Sequence, residues 1–368
     1  MKQRFSIIMP LYNKAPYVRK ALESVVSQTS RDFELIIVND GSTDGSADVV
    51  RDFIRANEGM RKQNESLALN EPLHSMSRTD VLNDGISKQN EPLSLNDGKI
   101  RLITQANAGV AAARNNGVAA SHGEFVCFLD ADDWWEPNFL EEIDNLIREY
   151  PDAGIYATNY IYYKPSKTRM ALNLPRGYMN YPVAYMQNVS MPITSITTCM
   201  PRKVFDEMGG FPEGIKLGED FLLWAKTAMH YKVAFCEKSL AYYNNDVPVS
   251  MRATRNLHEP RYHMLFNLAP LEAEIKKQVE SGRWKVERSL EWKALLDWLR
   301  VEGLMEYWLS NEYHDVAATE LSKVDWDKQP KHVKAQYKKP IWLLKSQQLF
   351  MKVGSGVKQM LIRILKIK

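Results

Sequence analysis

The sequence predicts an α/β fold: a mostly parallel, Rossmann-like sheet flanked by helices, continued by a helical C-terminal extension. Three observations carry this. Short apolar runs alternate with amphipathic helical patterns up to residue 150. Acidic or turn-forming clusters directly follow two of those runs. From residue 257 onward the pattern is helical and rich in Trp and Leu.

Phe5–Met9 (FSIIM) reads as the first strand. Val18, Ala21, Leu22, Val25 and Val26 then recur at helical spacing, with Pro16 suited to the helix start. Phe33–Val38 (FELIIV) is the second strand, and Ala47, Val49, Val50, Phe53 and Ile54 give a looser helical stripe. Ile100–Ile103 and Phe125–Leu129 (FVCFL) are the third and fourth strands, separated by a small-residue helix around Val110–Ala120. A helix from Pro137 places Phe139, Leu140, Ile143, Leu146 and Ile147 on one face. Further strands are expected at Ile155–Tyr163, Ile193–Met200 and Val233–Leu240.

Residues 57–98 break this rhythm. KQNESL at 62–67 returns as KQNEPL at 88–93, and LNDG at 82–85 returns at 95–98. Two short polar copies bury almost nothing, so the expectation is a tolerated, mobile surface insertion, not a solenoid.

Composition narrows the classes. Of 368 residues, 45% are hydrophobic and 25% charged, as in a globular chain. A net charge of +3, without an Arg-rich or zinc-finger pattern, argues against nucleic acid as a partner. Cys127, Cys199 and Cys236 are odd in number and widely spaced, which favours a reduced chain over a disulfide scaffold or zinc site. The opening MKQRFSIIMPLY holds too short an apolar run for a signal peptide. No stretch approaches the roughly 20 apolar residues of a membrane span. A cytoplasmic location is therefore expected.

Three carboxylate clusters carry candidate chemistry, and two of them directly follow predicted strands, the edge where open α/β sheets bind ligands. Asn39-Asp40-Gly41-Ser42 follows FELIIV. An Asp there can accept the imide N–H of a uracil base, and Asp-Gly is equally ordinary turn chemistry. Asp130-Ala131-Asp132-Asp133 follows FVCFL. Carboxylates this crowded repel one another unless solvated or bound to a cation, and Mg2+ or Mn2+ takes oxygen ligands shared with substrate phosphates. One acid would suit a helix start; three exceed that need. Gly218-Glu219-Asp220 leads into another helix, where an Asp can act as a general base or simply begin the helix. No GxxxxGK[ST] or GxGxxG motif occurs, which argues against P-loop ATPases and ordinary dehydrogenases, and no GxSxG occurs.

Taken in order, these pieces resemble the family 2 glycosyltransferases of the GT-A fold. The matching residues are Met9-Pro10-Leu11-Tyr12-Asn13, Ile37-Val38-Asn39-Asp40-Gly41-Ser42-Thr43-Asp44, Asn107-Ala108-Gly109 with Ala113-Arg114-Asn115, Phe128-Leu129-Asp130-Ala131-Asp132-Asp133, and Gly218-Glu219-Asp220. The resemblance covers roughly 4–255 apart from the insertion. It implies a catalytic unit over 1–255, with a nucleotide-binding half to 150 and an acceptor half over 151–255. A helical extension (256–337) and a basic tail (338–368) follow. It further implies an inverting transfer from a nucleotide-diphosphate sugar, a UDP-sugar above all, to the hydroxyl of a glycan or lipid-linked acceptor, aided by Mn2+ or Mg2+. Pro10 and Tyr12 would line the base pocket, Asn13 would join them in the nucleotide-sugar site, and Asp40 would hold the uracil edge. Asp130 and Asp132 match the family's DXD motif, with Asp132 the direct metal ligand and Asp133 assisting the metal or holding the loop. Arg114 would aid the diphosphate or serve in packing or a salt bridge. Asp220 matches the family's base, supported by Glu219.

The chain departs from the family in two places. Asn245 stands where many members carry a His before a Ser-x-Ser stretch, and the QxxRW motif of processive polymerases is missing. The second departure points to transfer of single residues. A sugar-phosphate nucleotidyltransferase would carry a Gly-rich, basic loop after the first strand, where this chain has Leu11-Tyr12-Asn13-Lys14. An inactive binding protein of the same fold would have no need of intact acidic clusters.

The tail from 338 to 368 has eight basic residues and no acidic ones. Val357, Met360, Leu361, Ile364 and Leu365 recur at helical spacing. Such a basic amphipathic helix can lie on the cytoplasmic face of an anionic membrane, or pack on the protein with its lysines solvated.

Overall fold

In a computed structural model, residues 3–68, 93–95, 99–188, 191–251 and 257–345 are described. The first half alternates β1 (Phe5–Leu11), α1 (Val18–Val26), β2 (Phe33–Asp40), α2 (Ser46–Ala68), β3 (Leu93–Leu95), β4 (Ile100–Gln105), α3 (Val110–Ala119), β5 (Phe125–Phe128), β6 (Trp134–Trp135) and α4 (Phe139–Glu149). The second half holds β7 (Ala153–Tyr163), β8 (Arg169–Met170), β9 (Gly177–Met179), α5 (Tyr181–Gln187), β10 (Thr198–Pro201), α6 (Arg202–Met208), α7 (Glu219–His230) and β11 (Lys232–Asn244). The extension consists of α8 (Ala269–Glu280), α9 (Val286–Gly303), α10 (Met305–Trp308), α11 (His314–Leu321) and α12 (Lys331–Tyr337).

One sheet runs in the order β3-β4-β2-β1-β5-β10-β7-β11-β6. Strands β4, β2, β1 and β5 are parallel neighbours, so their C-terminal ends lie along one edge. That edge gathers Tyr12, Asp40, Asn107 and Asp130, which are far apart in sequence, because each crossover returns the chain to the same side. Strand β10 is antiparallel to β5 and β7, which turns the start of β10 toward the same edge. The central strands are apolar on both faces, as a sheet covered by helices requires: Ile7, Ile8, Leu35, Ile36, Ile37, Val38, Val126 and Cys127 are all fully buried. Apolar residues of the extension join the same core. Helix α9 packs on α5 and α8 on α7, and Trp292 stacks on both Tyr181 and Trp284.

Two expectations need correction. Helix α2 runs on to Ala68, and Leu93–Leu95 pairs antiparallel with β4 as an edge strand, so the expected insertion 57–98 begins as helix and ends near a strand. Residues 57–68 include Gly59 but no Pro, and most are straight-chain helix formers, so propagation needs no apolar stripe. The remainder of that segment lies outside the described residues. The strand expected over Ile193–Met200 is a 3-10 turn at Ser195–Thr197 followed by β10, because Thr197 Oγ1 accepts the Thr194 N–H and the Thr197 and Thr198 hydroxyls donate to the Thr194 carbonyl.

Candidate active site

The loop after β1 is pinned to the loop after β2. The Asn13 N–H donates to Ser42 Oγ (3.1 Å) and the Thr43 N–H to Asn13 Oδ1 (2.9 Å). The Lys14 N–H donates to Ser46 Oγ (2.7 Å) and the Ala15 N–H to Asp44 Oδ2 (3.0 Å). Asn13 holds a left-handed φ of 50°, which Asn tolerates better than most residues. This pinning leaves the Tyr12 ring 50% exposed at the sheet edge. Asp40 is buried at the end of β2. Its Oδ1 accepts from Gln105 Nε2 (2.8 Å) and the Ala108 N–H (2.8 Å), and its Oδ2 from the Gly109 N–H (2.9 Å). Three of about four carboxylate acceptor positions are thus filled. The Asp-Gly turn and the Asn107-Ala108-Gly109 loop form one unit. Gly41 has φ 74°, and a Cβ there would lie 3.0 Å from the Asn107 nitrogen.

The acidic run after β5 is dispersed. Asp130 Oδ1 accepts from Arg114 Nη2 at 2.7 Å, and Asp132 Oδ2 accepts from Lys14 Nζ at 2.6 Å. Asp133 turns inward, where its Oδ1 accepts the Asn244 N–H at 2.7 Å and fastens the end of β11. Burial, with Asp132 and Asp130 nearby, pushes the Asp133 carboxyl well above the usual carboxylate range. Burial also raises Asp132, and Lys14 opposes that rise. The crowding that pointed to a cation is therefore partly relieved by cations of the chain itself. Among the described residues, no three His, Cys, Asp or Glu side chains meet as a ligand cage.

Arg114 sits in a helix of small residues, and sequence reasoning left its role open. It is buried, with Nη1 on Glu219 Oε1 and Nη2 on Asp130 Oδ1, both at 2.7 Å. One guanidinium thus joins the loop after β5 to the start of α7. Burial alone would lower its pKa, but Asp130, Glu219 and Asp220 outweigh that and raise it. Glu219 is accordingly a partner of Arg114. Asp220 accepts the Phe221 N–H on Oδ1 (2.8 Å) and the Ser195 hydroxyl on Oδ2 (3.4 Å). Its pKa is pushed up to about 7, first by burial and then by Glu219, with Arg114 opposing. The turn into α7 needs Gly218: φ is 84°, and a Cβ would lie 2.4 Å from Met264 Sδ. Asn245 donates its N–H to the Tyr163 carbonyl at 2.8 Å, which places it beside the chain end that Asp133 fastens.

These placements predict that Arg114→Met destabilises the chain strongly. Removing one member of a buried ion network leaves the others uncompensated, at a cost of about 3–5 kcal/mol. Chemical denaturation measures it; an unchanged midpoint would mean that Asp130 and Glu219 do not depend on the guanidinium.

The comparisons with known proteins agree with this architecture. The glycosyltransferase GlyA of Streptococcus pneumoniae is 28% identical over 254 residues, covering 65% of this chain and 30% of GlyA. An uncharacterized glycosyltransferase of Nostoc is 34% identical over 152 residues, covering 41% of this chain and 35% of that protein. The chain therefore spans about a third of the length of these curated relatives. Among solved structures, residues 1–349 of Staphylococcus aureus TarS in complex with UDP-GlcNAc superpose with a TM-score of 0.58 at 16% identity, covering 90% of this chain and 83% of that one. That likeness supports the expected GT-A-type fold. The model of glycosyl transferase family 2 matches residues 6–67 and 79–209, more than half of the chain and four of the five motifs gathered at this sheet edge. The chain belongs to glycosyl transferase family 2.

Proposed function

We propose that the protein transfers a sugar from a nucleotide diphosphate, a UDP-sugar first of all, to an acceptor hydroxyl with inversion at the anomeric carbon. The observation that carries this is Arg114, which holds Asp130 and Glu219 on one guanidinium. It thereby sets the DXD loop beside Asp220, so a leaving diphosphate and a hydroxyl-activating base would meet at one edge. Tyr12 offers an exposed ring for the base, and Asp40 keeps one acceptor position for its imide. Asp220 takes the acceptor proton as the hydroxyl attacks the face opposite the diphosphate, and a single displacement inverts the centre without a covalent sugar–enzyme intermediate.

A divalent metal fits the residues present. Mg2+ and Mn2+ sites at phosphates commonly use one or two protein carboxylates, with the phosphates completing the shell, so no three-residue cage is required. Asp132, partly exposed, and Asp130 would hold it, while Asp133 is already engaged with β11. When bound, such an ion neutralises charge developing on the diphosphate.

UDP-GlcNAc, the ligand in the TarS complex, is the first donor to test, followed by other UDP-sugars, each with Mn2+, Mg2+ or EDTA. UDP release that requires metal, and a product of inverted anomeric configuration by NMR, is the expected result. Metal-independent release or retained configuration would overturn those parts of the reading, and pyrophosphate formation from UTP and a sugar phosphate would overturn all of it.

The acceptor is proposed to be glycan or lipid-linked, with the tail resting on an anionic membrane. No helix among the described residues is long and apolar enough to cross a membrane. The apolar stripe from Val357 to Leu365 lies outside the described residues. Leu344 is buried and Lys345 Nζ bonds Asn311 Oδ1, so the chain is fastened to the extension up to that point. Truncation after Lys345 spares those contacts. It is expected to abolish sedimentation with anionic liposomes, which high salt should reverse for the full chain; equal pelleting of both forms would exclude the tail as anchor.

A further inference from the structure

Lys14 was noted in the sequence only as part of a loop that lacks phosphate-binding glycines. In the structure its backbone is fastened, because the loop after β2 holds the N–H groups of Asn13 and Ala15 and the first residue of α2, Ser46, holds its own. Its side chain crosses the site. The ammonium donates to Asp132 Oδ2 at 2.6 Å and to the Met251 carbonyl at 3.1 Å. Both members of the ion pair are largely withdrawn from solvent, with side-chain exposures of 16% and 20%. One ammonium therefore ties together the β1 loop, the DXD loop and the Val249–Met251 turn, parts separated by 118 and 237 residues.

The charge balance gives this arrangement a purpose. Asp132 lies beside Asp130 and Asp133, and without a donor something positive must sit against it. Lys14 supplies that charge. A divalent cation brought to Asp132 by a diphosphate would compete with the ammonium for this carboxylate, since the two positive charges repel. Lys is a compact charge on a flexible stem with three donors, so once displaced it can turn to a neighbouring phosphate oxygen without moving its backbone. Its release also frees the Met251 carbonyl.

We propose that Lys14 is a placeholder cation of the donor site: it holds Asp132 and the Val249–Met251 turn before the donor arrives, and moves to the diphosphate when the metal takes Asp132. This deepens the proposed function and rests on it. Lys14 becomes a donor-binding residue whose resting contact competes with the metal.

The test compares wild type with Lys14→Met, which keeps an unbranched side chain one atom shorter and removes the charge. Mn2+ binding without nucleotide, followed by the electron paramagnetic resonance of the free ion, is expected to tighten about tenfold in the variant. UDP binding in saturating Mn2+, followed by calorimetry, is expected to weaken about tenfold. Opposite signs in the two measurements are what a merely structural lysine would not produce. If wild type binds Mn2+ and the variant binds it no more tightly, the placeholder is wrong and the metal reading stands. If UDP binding is unchanged, the transfer to diphosphate is wrong. If neither protein binds Mn2+ with or without UDP, the metal reading falls and the placeholder with it. Lys14→Gln, which can still donate to the Met251 carbonyl, replaces Lys14→Met should that variant not fold.

Discussion

Asp220→Asn is expected to lose transfer by about a hundredfold or more while still binding the donor, the usual scale for a missing general base. The side chain is nearly isosteric: its oxygen can accept the Phe221 N–H, and its amide can donate to Ser195 Oγ in place of the bond that Asp220 Oδ2 accepts, so the start of α7 should survive. The charges facing Asp220 are Glu219, Arg114 and Asp130, and burial adds to the effect of the two acids. With its pKa raised from 3.8 to about 7, the ionised base accumulates only as pH rises through neutrality, and the wild-type rate should climb with it and then level. Stability should move the other way. A carboxyl whose folded pKa is raised contributes stability that is fully present below its unfolded pKa and lost as pH rises through the folded one. The substitution removes that dependence. Asp220→Asn should therefore melt higher relative to wild type as pH increases from about 4 to about 7, with a constant difference above that. A variant that loses donor affinity yet turns over normally, or a wild-type rate flat across neutral pH, would show that Asp220 is not the base.

What the sequence made legible was whatever lies next to itself along the chain. FELIIV leading to Asp40, and FVCFL leading to Asp130, read as strands with an acid just beyond each, and β2 and β5 form there as parallel strands on either side of β1. The helix over Glu219–His230 followed from Gly218 and the two acids behind it, and α7 begins there. What stayed hidden depends on contacts between distant segments. Arg114 meets Asp130 at a separation of 16 residues and Glu219 at 105, and a helix of alanines gives no sign of either. The three acids after β5 look alike in sequence and differ only through their partners: Arg114 for Asp130, Lys14 for Asp132 and a β11 amide for Asp133. The two-residue strand β6 is too short to show a period, and it exists because Trp134 and Trp135 pair antiparallel with β11.

Asp132→Ala is expected to abolish metal-stimulated transfer with little change in melting temperature, and Asp133→Ala to do nearly the reverse. The prediction separates two neighbours by where their carboxylates point. Asp132 faces the site, is partly exposed and serves no backbone group of another element, so its removal leaves the framework in place. Its partner from the β1 loop, Lys14, keeps the Met251 carbonyl. On the proposed reading, removing Asp132 would take a carboxylate ligand from an ion set against the diphosphate. The loss should be about a hundredfold or more, since a bound ion supplies several kcal/mol of transition-state stabilisation. Asp133 is buried and accepts the Asn244 N–H. Taking it away leaves a buried donor unpaired at the end of β11, a cost of about 1–3 kcal/mol. Its removal also relieves the repulsion from Asp130 and Asp132 that raises its pKa, so the net loss should sit toward the lower end of that range. Thermal melts and UDP release with and without Mn2+, run on both variants, decide the matter. Normal Mn2+-stimulated turnover by Asp132→Ala would remove the metal from this carboxylate, and an unchanged melt of Asp133→Ala would mean that β11 is held by other contacts.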